Sequence, residues 1–108
     1  MFGDLMGMMG KLKEARQKAE ETKKRLDGVL LQEEGAEGML KVEVTANREI
    51  REIQIDKELL GDKDALEDYL LLTLNRALKK AEEVHNTEMA AVAREGMPNI
   101  PGMDQFMK

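Results

Sequence analysis

The chain contains no cysteine and no tryptophan, and its aromatic residues are Phe2, Tyr69 and Phe106 alone. Without thiols it has no disulfide framework, no thiolate metal site and no cysteine nucleophile, a composition that fits the cytosol. With so few rings, the core must be assembled from Leu, Ile, Val, Met and Ala. No apolar run approaches the roughly 20 residues that a membrane span requires. The N-terminal stretch Met1-Phe-Gly-Asp-Leu-Met-Gly-Met-Met-Gly-Lys11 is apolar, but its positive charge follows the greasy segment instead of preceding it, the reverse of a secretory signal. A soluble cytoplasmic protein without membrane attachment is expected.

Catalytic chemistry is equally scarce. His85 is the single histidine, so neither a second imidazole nor a thiolate is available to complete a metal site. The acid pairs Glu33/Glu34, Glu67/Asp68 and Glu82/Glu83 are adjacent in sequence; on a helix such neighbours point apart and stay solvated, a poor basis for paired acid–base work. Gly35 and Gly38 lack the Gly-Lys-Ser/Thr ending of a phosphate loop, and Gly10-Lys11-Leu12 lacks the hydroxyl. The expectation is a non-enzyme with no cofactor, no metal and no small-molecule substrate.

What is present is charge in an ordered distribution. The 108 residues carry a net −5 and suit one domain, small enough that a second subunit often completes the core. Residues 1–28 carry seven Lys/Arg against five Asp/Glu, residues 29–62 four against nine, and residues 63–108 six against eight. The basic charge is thus concentrated at the start of the chain, and the acidity in the middle.

The patterning predicts a helix from an Asp4 N-cap to about Asp27, with Gly28 just past its end and a frayed start over the Met-Gly repeats. Leu5, Met8, Leu12, Ala15, Ala19, Thr22 and Leu26 recur at alternating spacings of three and four, a heptad seam. One edge of that seam carries Lys11, Lys18 and Arg25; the other carries Met9, Arg16 and Lys23. Parallel pairing of this helix with its own copy would set like charges face to face, so the helix is expected either to pack on a different, more acidic helix or to leave its basic edges to solvent or a polyanion. Without a ligand, the basic residues read as a solvated helix with pairs such as Glu14–Lys18 and Glu20–Lys24.

A short strand at Val29–Glu33 and a turn at Glu34–Gly38 come next. Leu40, Val42 and Val44 then alternate with Lys41, Glu43 and Thr45, the period of a half-buried strand. Ala46–Glu49 is the hairpin loop, and Ile53 and Ile55 mark the return strand. The sheet is expected to be a three-stranded antiparallel meander with one apolar face. Asp62 or Asp64 begins a second long helix, Glu67 standing three residues after Asp64 as in a capping box. That helix should run to about Arg94, closed by Gly96 and Pro98. Its stripe of Leu66, Leu70, Leu71, Leu74, Ala77, Leu78, Ala81, Val84, Ala91 and Val92 is wide enough to cover the sheet and a second subunit. Residues 97–108 have two prolines and no periodicity and read as a flexible Met/Pro-rich tail after a single domain over residues 1–96.

Two surfaces stand out. Lys11, Lys13, Arg16, Lys18, Lys23, Lys24 and Arg25 fall within fifteen residues, the residue type and placement that phosphate contacts require. No aromatic lies among them, so stacking on single-stranded bases is not suggested, and duplex binding would rest on backbone contacts and shape. Met6, Met8, Met9, Met103 and Met107 give adaptable apolar contacts near both ends; together with the broad helix stripe they suit the alternative of a dimeric protein-interaction adaptor.

The ordered set of segments resembles the YbaB/EbfC family of bacterial nucleoid-associated proteins. The segments are Met1-Phe-Gly-Asp-Leu-Met6, the Lys/Gln/Glu-rich first helix, Gly38-Met-Leu-Lys-Val-Glu-Val44, and Ile53-Gln-Ile-Asp-Lys-Glu-Leu-Leu60. Leu66-Glu-Asp-Tyr-Leu70, Asn75-Arg-Ala77 with Lys80, and Gly96-Met-Pro-Asn-Ile-Pro-Gly-Met103 complete it. The resemblance implies an α+β, α-β-β-β-α layout, a three-stranded antiparallel sheet flanked by two long helices. It also implies a small cytoplasmic homodimer whose helices project as arms and bind double-stranded DNA in the nucleoid. On that basis the DNA-binding residues would be the seven basic residues of the first helix, with Arg76, Lys79, Lys80 and Arg94 as second choices. Here Ala46-Asn-Arg-Glu49 stands where the family often has an Asn-Gly turn.

Overall fold

The computed structural model describes residues 2–96. The tail expected at 97–108 lies outside the described residues. The elements are α1 (Phe2–Leu26), β1 (Leu30–Gly35), a 3-10 turn (Ala36–Gly38), β2 (Leu40–Thr45), β3 (Ile50–Ile55), α2 (Lys57–Leu60) and α3 (Lys63–Gly96). The sheet is an antiparallel meander in the order β1-β2-β3. The α+β architecture with two long helices is therefore present as the sequence predicts.

Alternation along β2 builds the core. Leu40, Val42 and Val44 are buried on the face turned to α3, where Ala77 and Ala81 meet them; Ala36 and Leu59 close the ends. Full burial of one such aliphatic side chain is worth about 1.5–3 kcal/mol. The alanines at the contact bring α3 close to the sheet, and Gly35 on β1 brings it closer still. A Cβ at Gly35 would collide with Oγ1 of Thr73. Thr73 is itself fully buried, and its hydroxyl has no hydrogen-bond partner.

Several boundaries differ from the sequence reading. The first helix begins at Phe2, so Asp4 lies in its first turn and not at the cap, and the Met-Gly repeats are helical. Gly28 does not take the left-handed conformation, since Gly38 is the one glycine with positive φ among the described residues. Instead α1 ends in a tight turn, with Gly28 N–H donating to Arg25 O at 3.1 Å. The turn before β2 is sharper than expected, because Ala36, Glu37 and Gly38 all have positive φ (53°, 56° and 89°). The segment after β3 is not a direct entry to the long helix. Asp56 caps a separate single turn, accepting from Glu58 N–H at 2.9 Å, which drops Leu59 into the core. Of the two candidate caps for α3 the structure uses Asp62, whose carboxylate accepts from Ala65 N–H at 3.1 Å.

The helices are far longer than the sheet. The 34 residues of α3 span about 51 Å, whereas a six-residue strand spans about 20 Å. The second half of α3 therefore leaves the sheet and runs against α1. The described chain is 70 × 27 × 16 Å with a radius of gyration of 20.2 Å, against about 13 Å for a compact domain of this size.

Candidate nucleic-acid interface

The partner of the heptad seam on α1 is α3. Thr22 and Leu26 are buried and Ala15 and Ala19 half-buried along that line. The facing half of α3 carries Glu82, Glu83, Glu88 and Glu95 against Arg94, so the basic helix does pack on a more acidic one. Arg25 marks the contact: its Nη2 donates to Glu88 Oε2 at 2.6 Å. Asn47, in the β2–β3 turn, fastens the same corner. Its Nδ2 donates to Lys23 O at 2.7 Å and to Asp27 Oδ1 at 2.6 Å, while its Oδ1 lies 3.1 Å from Nδ1 of His85. His85 is thereby engaged in holding α3 to the hairpin. No sequence signal marks this use of Asn47, which takes a partner from each of two distant helices.

Because the seam points at α3, the basic residues that flank it are pushed outward. Lys11, Lys13, Arg16, Lys18, Lys23, Lys24 and Arg25 are all exposed. Apart from Arg25, none of the seven is ion-paired among the described residues; the expected pairs Glu14–Lys18 and Glu20–Lys24 are not formed. The result is a cationic helix with uncommitted charge along about 20 Å of its length, from Lys11 to Lys24.

The second-choice residues divide. Lys79 and Arg94 are exposed and likewise without ion pairs among the described residues. Arg76 and Lys80 face the edge of the sheet. Arg76 donates to Glu34 O at 3.2 Å and lies 3.9 Å from Glu33; Lys80 donates to Gln32 O at 3.3 Å and lies 3.6 Å from Glu33. These two cations are bound to β1, away from the group on α1.

The sheet itself is acidic. Glu33, Glu34, Glu43 and Glu52, with Lys41 as the one cation among them, line a shallow hollow of about 60 Å³, a surface of net negative charge that disfavours a polyanion. No group of three or more metal-ligating side chains occurs among the described residues, and no described helix is long and apolar enough to cross a membrane.

One apolar surface escaped the sequence reading in part. Ile53 pairs with Val42 and Ile50 with Val44, so both isoleucines lie on the core face of the sheet. Yet α3 lies over β1 and β2, and Ile50 and Ile53 stay 42% and 41% exposed. The register shift between Glu43 and Val44 makes this possible: a bulge turns Ile50, three residues before Ile53, onto the same face. The odd spacing of Ile50, Ile53 and Ile55 was the available signal.

A family model described as the YbaB/EbfC DNA-binding family matches residues 1–97. The chain belongs to that family. A nucleoid-associated protein of Flavobacterium johnsoniae is 60% identical over 105 residues, covering 97% of this chain and 99% of its own length. A nucleoid-associated protein of Neisseria meningitidis is 36% identical over 115 aligned positions that span both chains completely. Among solved structures, the uncharacterized protein HP0035 from Helicobacter pylori superposes with a TM-score of 0.64 at 26% identity, covering 70% of this chain and 90% of that one. The YbaB/EbfC description names DNA binding and no reaction, in keeping with the scarcity of catalytic groups here.

Proposed function

We propose that this chain binds double-stranded DNA with low sequence specificity, as a homodimer, and helps organise the nucleoid. The observation that carries the reading is the row of exposed Lys and Arg on α1 whose charge is not spent on neighbouring carboxylates. Membership of a DNA-binding family and the names of the relatives support it. Lys and Arg on a projecting helix meet phosphates, and phosphate contacts fix position without reading bases. Lys11, Lys13, Arg16, Lys18, Lys23 and Lys24 are the principal contacts, with Lys79 and Arg94 of α3 as further ones. Arg25, Arg76 and Lys80 contribute less, since binding phosphate would cost each its carboxylate.

The homodimer is supported by the apolar strip that α3 leaves uncovered. Arg76 and Lys80 occupy the β1 side of α3, so Leu71, Leu74 and Leu78 lie on its other flank, towards β3. Leu71 is exposed and Leu74 and Leu78 are half-buried; with Ile50 and Ile53 they make an apolar strip that the same strip of a second copy would bury. Two such chains present two α1 helices at a fixed spacing, which the duplex bridges along its phosphates.

The test is binding of the purified protein to a random-sequence duplex over a salt series. Affinity should fall linearly in log–log form, with a slope of about 0.9 for each phosphate contacted, and a second unrelated sequence should give the same line. Absence of binding at low salt would reject DNA as a direct ligand.

A further inference from the structure

The seam by which α1 packs on α3 does not stop where α3 stops. From Leu26 back to Ala15 it is covered; from Leu12 back to Leu5 it continues with nothing over it among the described residues. Leu5, Met6, Met8, Met9 and Leu12 are between 57% and 69% exposed. Leu5, Met8 and Leu12 extend the line of Ala15, Ala19 and Leu26, and here the seam residues are large where the covered stretch has alanine. Gly3, Gly7 and Gly10 take the opposite side of the helix, with open space around them. The tip of α1 therefore has one strongly apolar side, formed by Leu5, Met8, Met9 and Leu12, and an opposite side of glycines on which Met6 is the large residue.

We propose that residues 4–12 of α1 form a second self-association surface, on which the same segment of another copy packs antiparallel. Charge selects both the occupant and its direction. From Phe2 to Leu12 the charged residues are Asp4 and Lys11, one at each end of the apolar stretch and both on the same edge of the seam. An antiparallel overlap centred on Met8 sets Asp4 of each copy within a turn of Lys11 of the other. A parallel overlap joins opposite edges of the seam, so Asp4 meets the uncharged Met9 and Lys11 meets Arg16, a like-charge contact that costs free energy. Opposed helix dipoles favour the antiparallel arrangement as well. The overlap stays short because Lys13, Arg16 and Lys18 begin immediately beyond it and repel a longer pairing. The contact is confined to the arm tips and leaves the basic middle of α1 open.

This surface is distinct from the Ile50/Ile53 patch, and it does not depend on DNA. Each contact is self-complementary, so a chain that uses both joins dimers into larger assemblies. The methionines fit a weak, adaptable contact that forms and breaks with concentration.

The absence of cysteine makes the test clean, because a single introduced thiol is the only one in the full-length chain. Met8→Cys should form a disulfide-linked pair under mild oxidation, whereas Gly10→Cys, on the glycine side where an added Cβ meets nothing, should stay unlinked. In sedimentation, the mass of the unmodified protein should rise with concentration past that of two chains, and Leu5→Glu with Leu12→Glu should hold it at two. These positions are exposed, and an unchanged helical spectrum checks that the variants fold. Equal linking of Met8→Cys and Gly10→Cys, or no linking at Met8→Cys, overturns the proposal. So does a mass unaffected by the double substitution. Self-association that emerges only after residues 97–108 are removed would assign the face to the chain's own tail and overturn it too. Failure of the sheet-face dimer is separable: Ile53→Lys would then leave the mass of the dilute protein unaltered, while the Met8→Cys link is scored independently.

Discussion

The side-chain oxygen of Asn47 lies 3.1 Å from Nδ1 of His85, and the other contacts of the amide decide which atom of this pair donates. The amide nitrogen of Asn47 is committed to Lys23 O and Asp27, so its oxygen accepts and His85 donates through Nδ1. One turn residue thus joins the end of α1, the hairpin and the middle of α3. Asn47→Ala should lower stability by about 0.5–1.5 kcal/mol, the net worth of a partly exposed hydrogen-bonded corner, measured by urea denaturation. Asn47→Asp should cost more, since it removes the donor and sets a second carboxylate beside Asp27. Equal midpoints for wild type and both variants would show that the corner is held by packing alone.

Gly35 and Thr73 are coupled by sterics. Gly35→Ala drives a methyl into the Thr73 side chain and should cost about 1–3 kcal/mol. Thr73→Ala removes the colliding groups together with a buried hydroxyl that has no partner, so it should cost less than an ordinary core truncation and should rescue Gly35→Ala. A double-mutant cycle with no interaction energy between the two sites would contradict the close approach.

Charge on α1 should act on binding, and charge at the β1 edge on stability. Arg16→Gln with Lys18→Gln should weaken binding to all duplexes alike and reduce the salt slope by about 2, with the melting temperature unchanged. Arg16→Glu with Lys18→Glu should weaken it further. Arg76→Gln with Lys80→Gln should leave the slope close to that of the wild type and lower thermal stability instead, because it strands Glu33. Retained affinity in the charge-reversed α1 variant would move the interface off the first helix.

Ile53→Lys places an ammonium in the middle of the uncovered core face. It should halve the mass seen by light scattering in dilute solution and weaken DNA binding without altering the salt dependence per chain. A single-chain mass for the wild type itself would remove the sheet-face dimer.

The strand order, the two long helices and the α1 seam were legible because hydrophobic period reports directly on which face is buried. Leu40, Val42 and Val44 announced β2, and the basic edges around Ala15 and Ala19 pointed to an acidic helix, solvent or a polyanion beside them. Features that depend on two distant segments meeting were not legible. Gly35 reads as a turn glycine until Thr73 is seen across from it. Asn47 reads as hairpin punctuation until Lys23 and His85 arrive beside it. Asp56 and Asp62 are both good caps, and only the drop of Leu59 into the core explains why each is used once. The basic residues of the two long helices look alike in sequence. Arg76 and Lys80 part from the rest because helical spacing aims them at Glu33, 43 and 47 residues earlier in the chain.

That anchoring of Arg76 and Lys80 reaches past the ion pairs. The carbonyls they cap, Gln32 and Glu34, alternate with the β1 residues that bond to β2, so they belong to the open border of the sheet. An uncapped border is a template onto which any extended chain can add itself. With two cations seated along it, β1 is closed to strand addition, and growth of this small sheet into a fibril is blocked on that side by the same helix that builds its core.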